Sequence, residues 1–155
     1  MKAALPMRRL ALLSLVSLIA CATPQPLPPS QRLYFSLELR RDGRLVGRPK
    51  LLGETGKRIR VERREPGAAE PDYTLALTPS DSGADGFALD LDVALPGAQG
   101  HSTLKLLHGE ERKVELGKQA GELQVVLLLM KVDSSEFQAL MSLAEARGRS
   151  RAGSI

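Results

Sequence analysis

The sequence predicts an all-β protein: a β-sandwich of about eight strands with one short C-terminal helix. Apolar and polar residues alternate with period two in several segments, among them 33–40 and 87–95. Gly-containing turn signals separate these segments, and a helical period occurs only after residue 133. Period-two alternation is typical of strands with one buried face, so we expect two sheets packed face to face.

The first twenty residues predict a signal peptide. Lys2, Arg8 and Arg9 precede the eleven-residue run LALLSLVSLIA at positions 10–20, and small residues follow it. Eleven helical residues reach only ~16 Å, about half of a ~30 Å hydrocarbon core, so a membrane-spanning helix is the weaker alternative. We therefore expect residues 1–20 to be removed.

The order Leu18-Ile19-Ala20-Cys21 resembles the lipobox of bacterial lipoproteins. The resemblance implies that Cys21 is acylated and becomes the first residue of the mature chain, with the membrane as a partner through its acyl chains. Ala22 then implies the outer membrane, on its periplasmic face. The alternative is an ordinary buried thiol, but acylation also accounts for an unpaired cysteine in an exported chain.

Removal of the signal peptide changes the charge of the chain. Three of the 22 basic residues and none of the 18 acidic residues lie in residues 1–20, so the mature chain carries 19 minus 18, or +1. With no Trp and few aromatic residues, the sequence argues against nucleic-acid binding. The remaining 135 residues (155 minus 20) suit one domain.

Residues 21–31 follow the signal peptide and contain prolines at positions 24, 26, 28 and 29. Such a segment favours extended polyproline II structure and could hold the domain up to ~30 Å from the bilayer. A tether without a specific role is the alternative. The β-sandwich is predicted over residues 32–133.

The strands follow in order along this domain. Leu33 to Arg40 alternates and ends at an Asp-Gly turn, and Phe87 to Leu95 alternates and ends at a Pro-Gly turn. Tyr73 to Thr78 is a shorter strand of the same pattern. Leu123 to Val132 is apolar on both faces, which predicts the most buried strand.

A repeated segment suggests internal symmetry. PKLLGETGKRIRVE at 49–62 and LKLLHGEERKVE at 104–115 share Lys-Leu-Leu, a Gly and a Val-Glu pair, and their glycines lie 53 residues apart. The two-residue difference between the copies keeps each later side chain on the same face. We predict that each copy is a hairpin and that the domain comprises two tandem units of about 53 residues, unless the two hairpins are alike by chance.

The C-terminal segment changes to a helical period. Ser135 and Gln138 form a predicted capping box, and Gly148 is the predicted end, so the helix should occupy residues 134–147 before a disordered basic tail at 148–155. Its apolar face either packs on the core or docks a partner protein. That face consists of Phe137, Leu140, Met141 and Ala144.

Metal and cofactor sites have little support. The segment from Asp81 to Asp92 is faintly similar to a calcium loop, but Gly83 stands at a ligand position and a strand follows instead of a helix. His101 and His108 are seven residues apart without a cysteine partner, which is poor zinc spacing. We predict no metal, no cofactor and no small-molecule substrate.

Catalysis is also not predicted. The sequence lacks the G-x-S-x-G elbow, although a triad of His101, Ser102 and either Asp90 or Asp92 stays open because triads are recognised by geometry. The two aspartates alternate with apolar residues and should therefore face solvent. The chain is predicted not to be an enzyme.

The densest charge cluster is a basic patch in the first repeat copy. It is either a solvated sheet face or a patch for lipid headgroups, lipopolysaccharide phosphates or an acidic partner. It consists of Lys57, Arg58, Arg60, Arg63 and Arg64.

The segment VGRPKLLGETGKRIRVE at 46–62 is similar to a hairpin of periplasmic secretin-type proteins, which implies partnership with a secretion or assembly machine. The leading hypothesis is a non-enzymatic lipoprotein that binds or braces another envelope component, through an edge strand or the helix. The alternatives are a small-ligand or inhibitor module with a pocket between the sheets, and a hydrolase around His101.

Overall fold

A computed structural model describes residues 29–152, with the backbone alone for 148–152. The predicted signal peptide, Cys21 and the part of the predicted tether before Pro29 lie outside the described residues. The chain forms nine strands and one helix: β1 (Arg32–Arg41), β2 (Arg44–Gly47), β3 (Lys50–Glu54), β4 (Ile59–Arg63), β5 (Tyr73–Gly83), β6 (Gly86–Leu95), β7 (Ala98–Leu107), β8 (Glu111–Leu116), β9 (Leu123–Lys131) and α1 (Ser135–Ala152).

The strands form two antiparallel sheets, which confirms the predicted all-β sandwich. Sheet A has the order β2-β1-β9-β8, with β3 also paired to β1, and sheet B has the order β4-β5-β6-β7. Strands β2 and β3 pair with opposite ends of β1. Pro49 separates these two strands, because proline has no N–H to donate to a sheet ladder. Its carbonyl accepts a hydrogen bond from Leu37 N–H at 3.0 Å. The short strand β2 was not predicted.

The core lies between the sheets and is made of alternate residues on each strand. Leu33, Phe35 and Leu39 of β1 are 0% exposed. No polar or charged side chain in the described part of the chain is buried. Strand β9 has the predicted apolar character on both faces, but its outward residues are only half-buried because, within residues 29–152, only the first turns of the C-terminal helix pack on the outer face of sheet A. Those residues are Val126, Leu128 and Met130.

The two repeat copies are not hairpins, and this corrects the sequence prediction. In the first copy β3 belongs to sheet A and β4 to sheet B, while in the second β7 belongs to sheet B and β8 to sheet A. Each copy is therefore a corner where the chain crosses between sheets. Each corner contains a glycine with positive φ, Gly56 at 79° and Gly109 at 75°. Such a glycine is found in corners as well as in hairpin turns, so its presence in the sequence does not distinguish a corner from a hairpin. The resemblance to a secretin-type hairpin loses its structural basis.

The strand orders nevertheless support the predicted tandem units. Sheet A contains the path β3-β1-β9-β8 and sheet B contains β7-β6-β5-β4. Strands β1, β3, β4 and β5 of the first unit correspond to β6, β7, β8 and β9 of the second unit, respectively. When each strand is replaced by its counterpart, the path in sheet A becomes the path in sheet B. Equivalent side chains also agree in exposure, since Leu52 is 59% exposed and Leu107 is 57% exposed. The sandwich is thus built from two similar halves that exchange sheets.

Helix α1 packs on sheet A only through its first turns. The Phe137 ring lies 5.2 Å from the Tyr34 ring, and Leu140 is half-buried. The cap is Ser134 and not Ser135, because Ser134 Oγ accepts from Phe137 N–H at 3.1 Å.

The helix continues past Gly148 to Ala152, so the predicted end at residue 147 is wrong. Glycine lowers helix stability without breaking the hydrogen-bond ladder. No described helix is long and apolar enough to cross a membrane.

Candidate functional site

A groove of about 400 Å³ lies on the outer face of sheet B. Its floor is formed by small residues of the central strands β5 and β6, namely Thr74, Ala76 and Ala94. Longer side chains line the two sides of the groove. One side is formed by Arg60 on β4 and by Arg58, which directly precedes β4. The other side is formed by Gln99 and His101 on β7. Small residues at the outward positions of the central strands, flanked by long ones at the edges, create this depression.

The strand register places one row of groove residues across all four strands of sheet B. Arg60 is opposite Ala76, Ala76 is opposite Asp92, and Asp92 is opposite His101. Because residues in register share a face, these side chains all lie on the solvent side of the sheet. A row of arginine, alanine, aspartate and histidine therefore crosses the groove.

Asp92 connects the two sides of the groove. Its Oδ1 lies 2.7 Å from His101 Nδ1, and its Oδ2 accepts from Arg58 Nη2 at 2.9 Å. Arg58 precedes β4, so its side chain reaches over β5 to arrive at β6. Ala76 on β5 is 5% exposed although it points outward. The carboxylate thus orients a guanidinium and an imidazole at the groove.

The predicted basic patch is divided by the structure. Lys57 pairs with Glu54 at 2.5 Å, Arg63 with Asp72 at 3.5 Å and Arg64 with Glu62 at 2.9 Å, and none of these three bases lines the groove. The hydrogen bond and charge of Lys57 lower the pKa of Glu54. The two groove arginines differ from each other. Arg58 is paired with Asp92, whereas Arg60 makes no ion pair with any residue of the described range.

Of the open triad hypothesis, the structure brings Asp92 to His101 but does not bring Ser102 to either of them. Ser102 follows His101 on β7, so the two side chains point to opposite faces of the sheet. Within residues 29–152, Asp92 is the one hydrogen-bond partner of His101. Asp90 instead accepts from Thr103 Oγ1 at 2.8 Å. As predicted, both aspartates lie on the outer face.

The segment that is faintly similar to a calcium loop contains a tight turn between two strands. Ala84 and Asp85, with φ of 48° and 60°, join β5 to β6, and Asp81 Oδ1 accepts from Gly83 N–H at 2.7 Å. The described residues contain no group of three or more potential metal ligands.

His108 has a packing role at the corner between β7 and β8. Its Nδ1 accepts from Lys131 N–H at 3.1 Å, and its Nε2 lies 3.4 Å from Glu136 Oε2. Since the backbone N–H needs an unprotonated Nδ1, the proton belongs on Nε2, where it faces the glutamate. The histidine therefore joins the corner, the end of β9 and the start of α1.

The predicted partner residues of the helix have different environments. Phe137 is engaged with Tyr34, and Leu140 is half-buried. Met141 is 41% exposed and Leu143 is 59% exposed. The apolar surface available beyond the sandwich therefore lies on the second and third turns of the helix.

Comparison of the chain with protein-family models, with curated proteins and with solved structures finds no significant match. The candidate site is therefore defined by its geometry. Arg58, Arg60 and His101 were candidate site residues on the sequence alone, whereas Gln99 and the small floor residues were not. The signal for the floor was present in YTLALT, whose outward residues are all small.

Proposed function

We propose that this chain is a non-enzymatic lipoprotein of the bacterial outer membrane whose periplasmic β-sandwich binds or braces another protein of the cell envelope. The lipobox at 18–21 supports the anchor, and the prolines that follow it supply a spacer. Two or more acyl chains hold a protein at a bilayer durably, whereas one chain does so only reversibly.

The observation that carries the binding role is the exposure of helix α1. The helix has 18 residues, yet from residue 141 to residue 147 every side chain is exposed. An isolated helix of this length is marginal in water, and most helices in proteins are stabilised by packing of an apolar face. A partner protein that covers Leu143, which is a surface neighbour of the half-buried Leu140 at i,i+3 on the helix, would provide that packing.

The core argues against the alternative of a ligand pocket between the sheets. Its side chains are apolar, and Leu75, Leu89, Leu91 and Leu127 are 0% exposed. A small ligand therefore has a better site in the groove on the outer face of sheet B. For the hydrolase alternative, the Asp92–His101 pair is present, but Ser102 lies on the other face.

Two experiments test the proposed function. Mass spectrometry of the mature N-terminus from the native host should find an acylated Cys21, and an unmodified cysteine would refute the anchor. A photocrosslinking amino acid at Leu143 should capture one reproducible envelope protein in intact cells. Leu45 is the matched control because it is an exposed leucine, at 47%, on the sandwich itself. Equal labelling from both positions, or none from Leu143, would refute the binding role.

A further inference from the structure

The groove on the outer face of sheet B carries a positive charge that its own residues do not neutralise. Arg58 and Arg60 contribute two positive charges and Asp92 one negative charge, which leaves +1 with His101 neutral. The other three bases of the basic patch are each paired with a carboxylate outside the groove. A ligand that completes this charge balance is an anion.

Hydrogen-bond donors line the groove on both sides and on its floor. Arg60 has no carboxylate partner among the described residues, and Arg58 uses Nη2 for Asp92 while a guanidinium carries five N–H donors. Gln99 on the opposite side adds an amide, and Thr74 on the floor adds a hydroxyl. Donors from several directions suit a tetrahedral oxyanion better than a planar carboxylate.

His101 refines the chemical class of that anion. Asp92 accepts the Nδ1 proton, which leaves Nε2 as a lone-pair acceptor in the neutral ring. The monoanion of a phosphate monoester, whose second pKa is about 6, carries a P–O–H proton that Nε2 can accept. A carboxylate is fully ionised near neutral pH and has no such proton.

From these three observations we infer that the groove binds a phosphate monoester. Its volume of about 400 Å³ is within the usual range of small-molecule sites, about 300 to 1,000 Å³, and exceeds the needs of phosphate alone. The group attached to the phosphate is either a soluble molecule or a lipid headgroup. The inference deepens the proposed function by naming a ligand for the anchored sandwich, and the groove itself does not require the acyl chains.

Calorimetric titration of the mature chain, purified in neutral detergent, tests the site. The probes are inorganic phosphate, short-chain phosphatidic acid below its micelle concentration, and acetate. Arg60→Gln should weaken phosphate binding at least about tenfold, since it removes the unpaired guanidinium. Arg63→Gln is the matched control because it removes the same charge from the other face of β4 and should change affinity less than about twofold.

Ala94→Leu provides an independent test that leaves every charge in place. Ala94 is exposed on the groove floor, so the larger side chain fills the groove without entering the core and should abolish binding. Far-UV circular dichroism checks that each variant is folded. Tighter binding of phosphatidic acid than of phosphate identifies a lipid headgroup as the ligand, and equal binding identifies a soluble monoester.

Several outcomes would overturn the inference. The first is the absence of any heat of binding with phosphate up to about 10 mM. The second is an Arg60→Gln variant that binds phosphate like the wild type, or an Arg63→Gln variant that loses as much phosphate affinity as Arg60→Gln. The third is acetate that binds as tightly as phosphate. Crosslinking from Leu143 and acylation of Cys21 do not involve the groove. A failure here is therefore distinguishable from a failure of the proposed function.

Discussion

Replacing Gly100 by alanine should destabilise the sandwich through one close contact between the sheets. A Cβ at this position on β7 would lie 2.5 Å from Leu116 Cβ and 3.1 Å from Gly117 N. Carbon atoms in favourable contact are about 3.5 to 4.0 Å apart, so the overlap is about 1 Å. Both obstructing atoms are fixed to the backbone at the end of β8. Relief therefore requires a shift of one strand.

The size of the effect follows from two opposing contributions. Forcing an extra methyl group into a packed core typically costs about 1 to 3 kcal/mol. Replacing glycine by alanine also reduces the conformational entropy of the unfolded chain, which stabilises by about 0.4 to 1 kcal/mol. Because both obstructing atoms are held by the backbone, the packing cost should lie in the upper part of its range, about 2 to 3 kcal/mol. We therefore expect the free energy of unfolding of Gly100→Ala to fall by about 1 to 2.5 kcal/mol, which lowers Tm by about 3 to 10 °C.

Urea unfolding followed by far-UV circular dichroism measures this change, since the chain has no Trp for fluorescence. Gly53→Ala is the matched comparison. Its Cβ would lie 2.0 Å from Ile59 Cδ1 and 2.8 Å from Ile59 Cγ1, which are side-chain atoms that move when the rotamer changes, so the loss should be smaller than in Gly100→Ala. A Gly100→Ala variant within about 0.5 kcal/mol of the wild type, or a larger loss in Gly53→Ala, would refute this reasoning.

Three further predictions concern the core, the acid response and the helix. Leu127→Ala removes a side chain that is 0% exposed and should lower the free energy of unfolding by about 2 to 5 kcal/mol in the same urea assay. Hydrogen bonds from the backbone N–H groups of 118–119 lower the pKa of Glu122 below its unfolded value. The ionised carboxylate therefore stabilises the folded protein above about pH 4.5, and this contribution is lost as the pH falls through the folded pKa. The stability of Glu122→Gln should therefore depend less on pH below about 4.5 than that of the wild type, and identical pH profiles would contradict this. Ser134→Ala removes the helix cap and should destabilise the helix by about 1 kcal/mol, which is measured as a loss of ellipticity at 222 nm. Ser135→Ala should change the ellipticity little. A larger loss in Ser135→Ala than in Ser134→Ala would contradict the assigned cap.

Two alternating strands, β1 and β6, were predicted to within one residue at each end, whereas β5 was predicted as 73–78 and extends to Gly83. The prediction for β1 was 33–40 and the structure gives 32–41, and for β6 the prediction was 87–95 and the structure gives 86–95. Their inward residues are apolar at every second position, so local pattern and burial agree. The first half of β7, AQGHST, was missed because its residues are small or polar, and its register is imposed by pairing with β6.

The candidate site could be predicted only in its chemical components. Alternation placed Asp92 and Arg60 on outer faces, and His101 was recognised as a titratable candidate. Their proximity depends on the register between β4, β5, β6 and β7, which a single sequence does not reveal. The corner at β3 and β4 was mistaken for a hairpin for a related reason: a positive-φ glycine specifies a reversal but not the sheet that receives the next strand.

The pairing of β1 with β9 has a consequence for folding. The strands of sheet B follow one another along the chain and can associate as soon as β7 has been synthesised, whereas the centre of sheet A joins segments more than ninety residues apart, Leu33 with Lys131. Loop-closure entropy makes such distant contacts slow to form. We therefore expect a partly folded chain to present the apolar side of β1 until β9 is available to pair with it, and holding chaperones bind such exposed apolar segments.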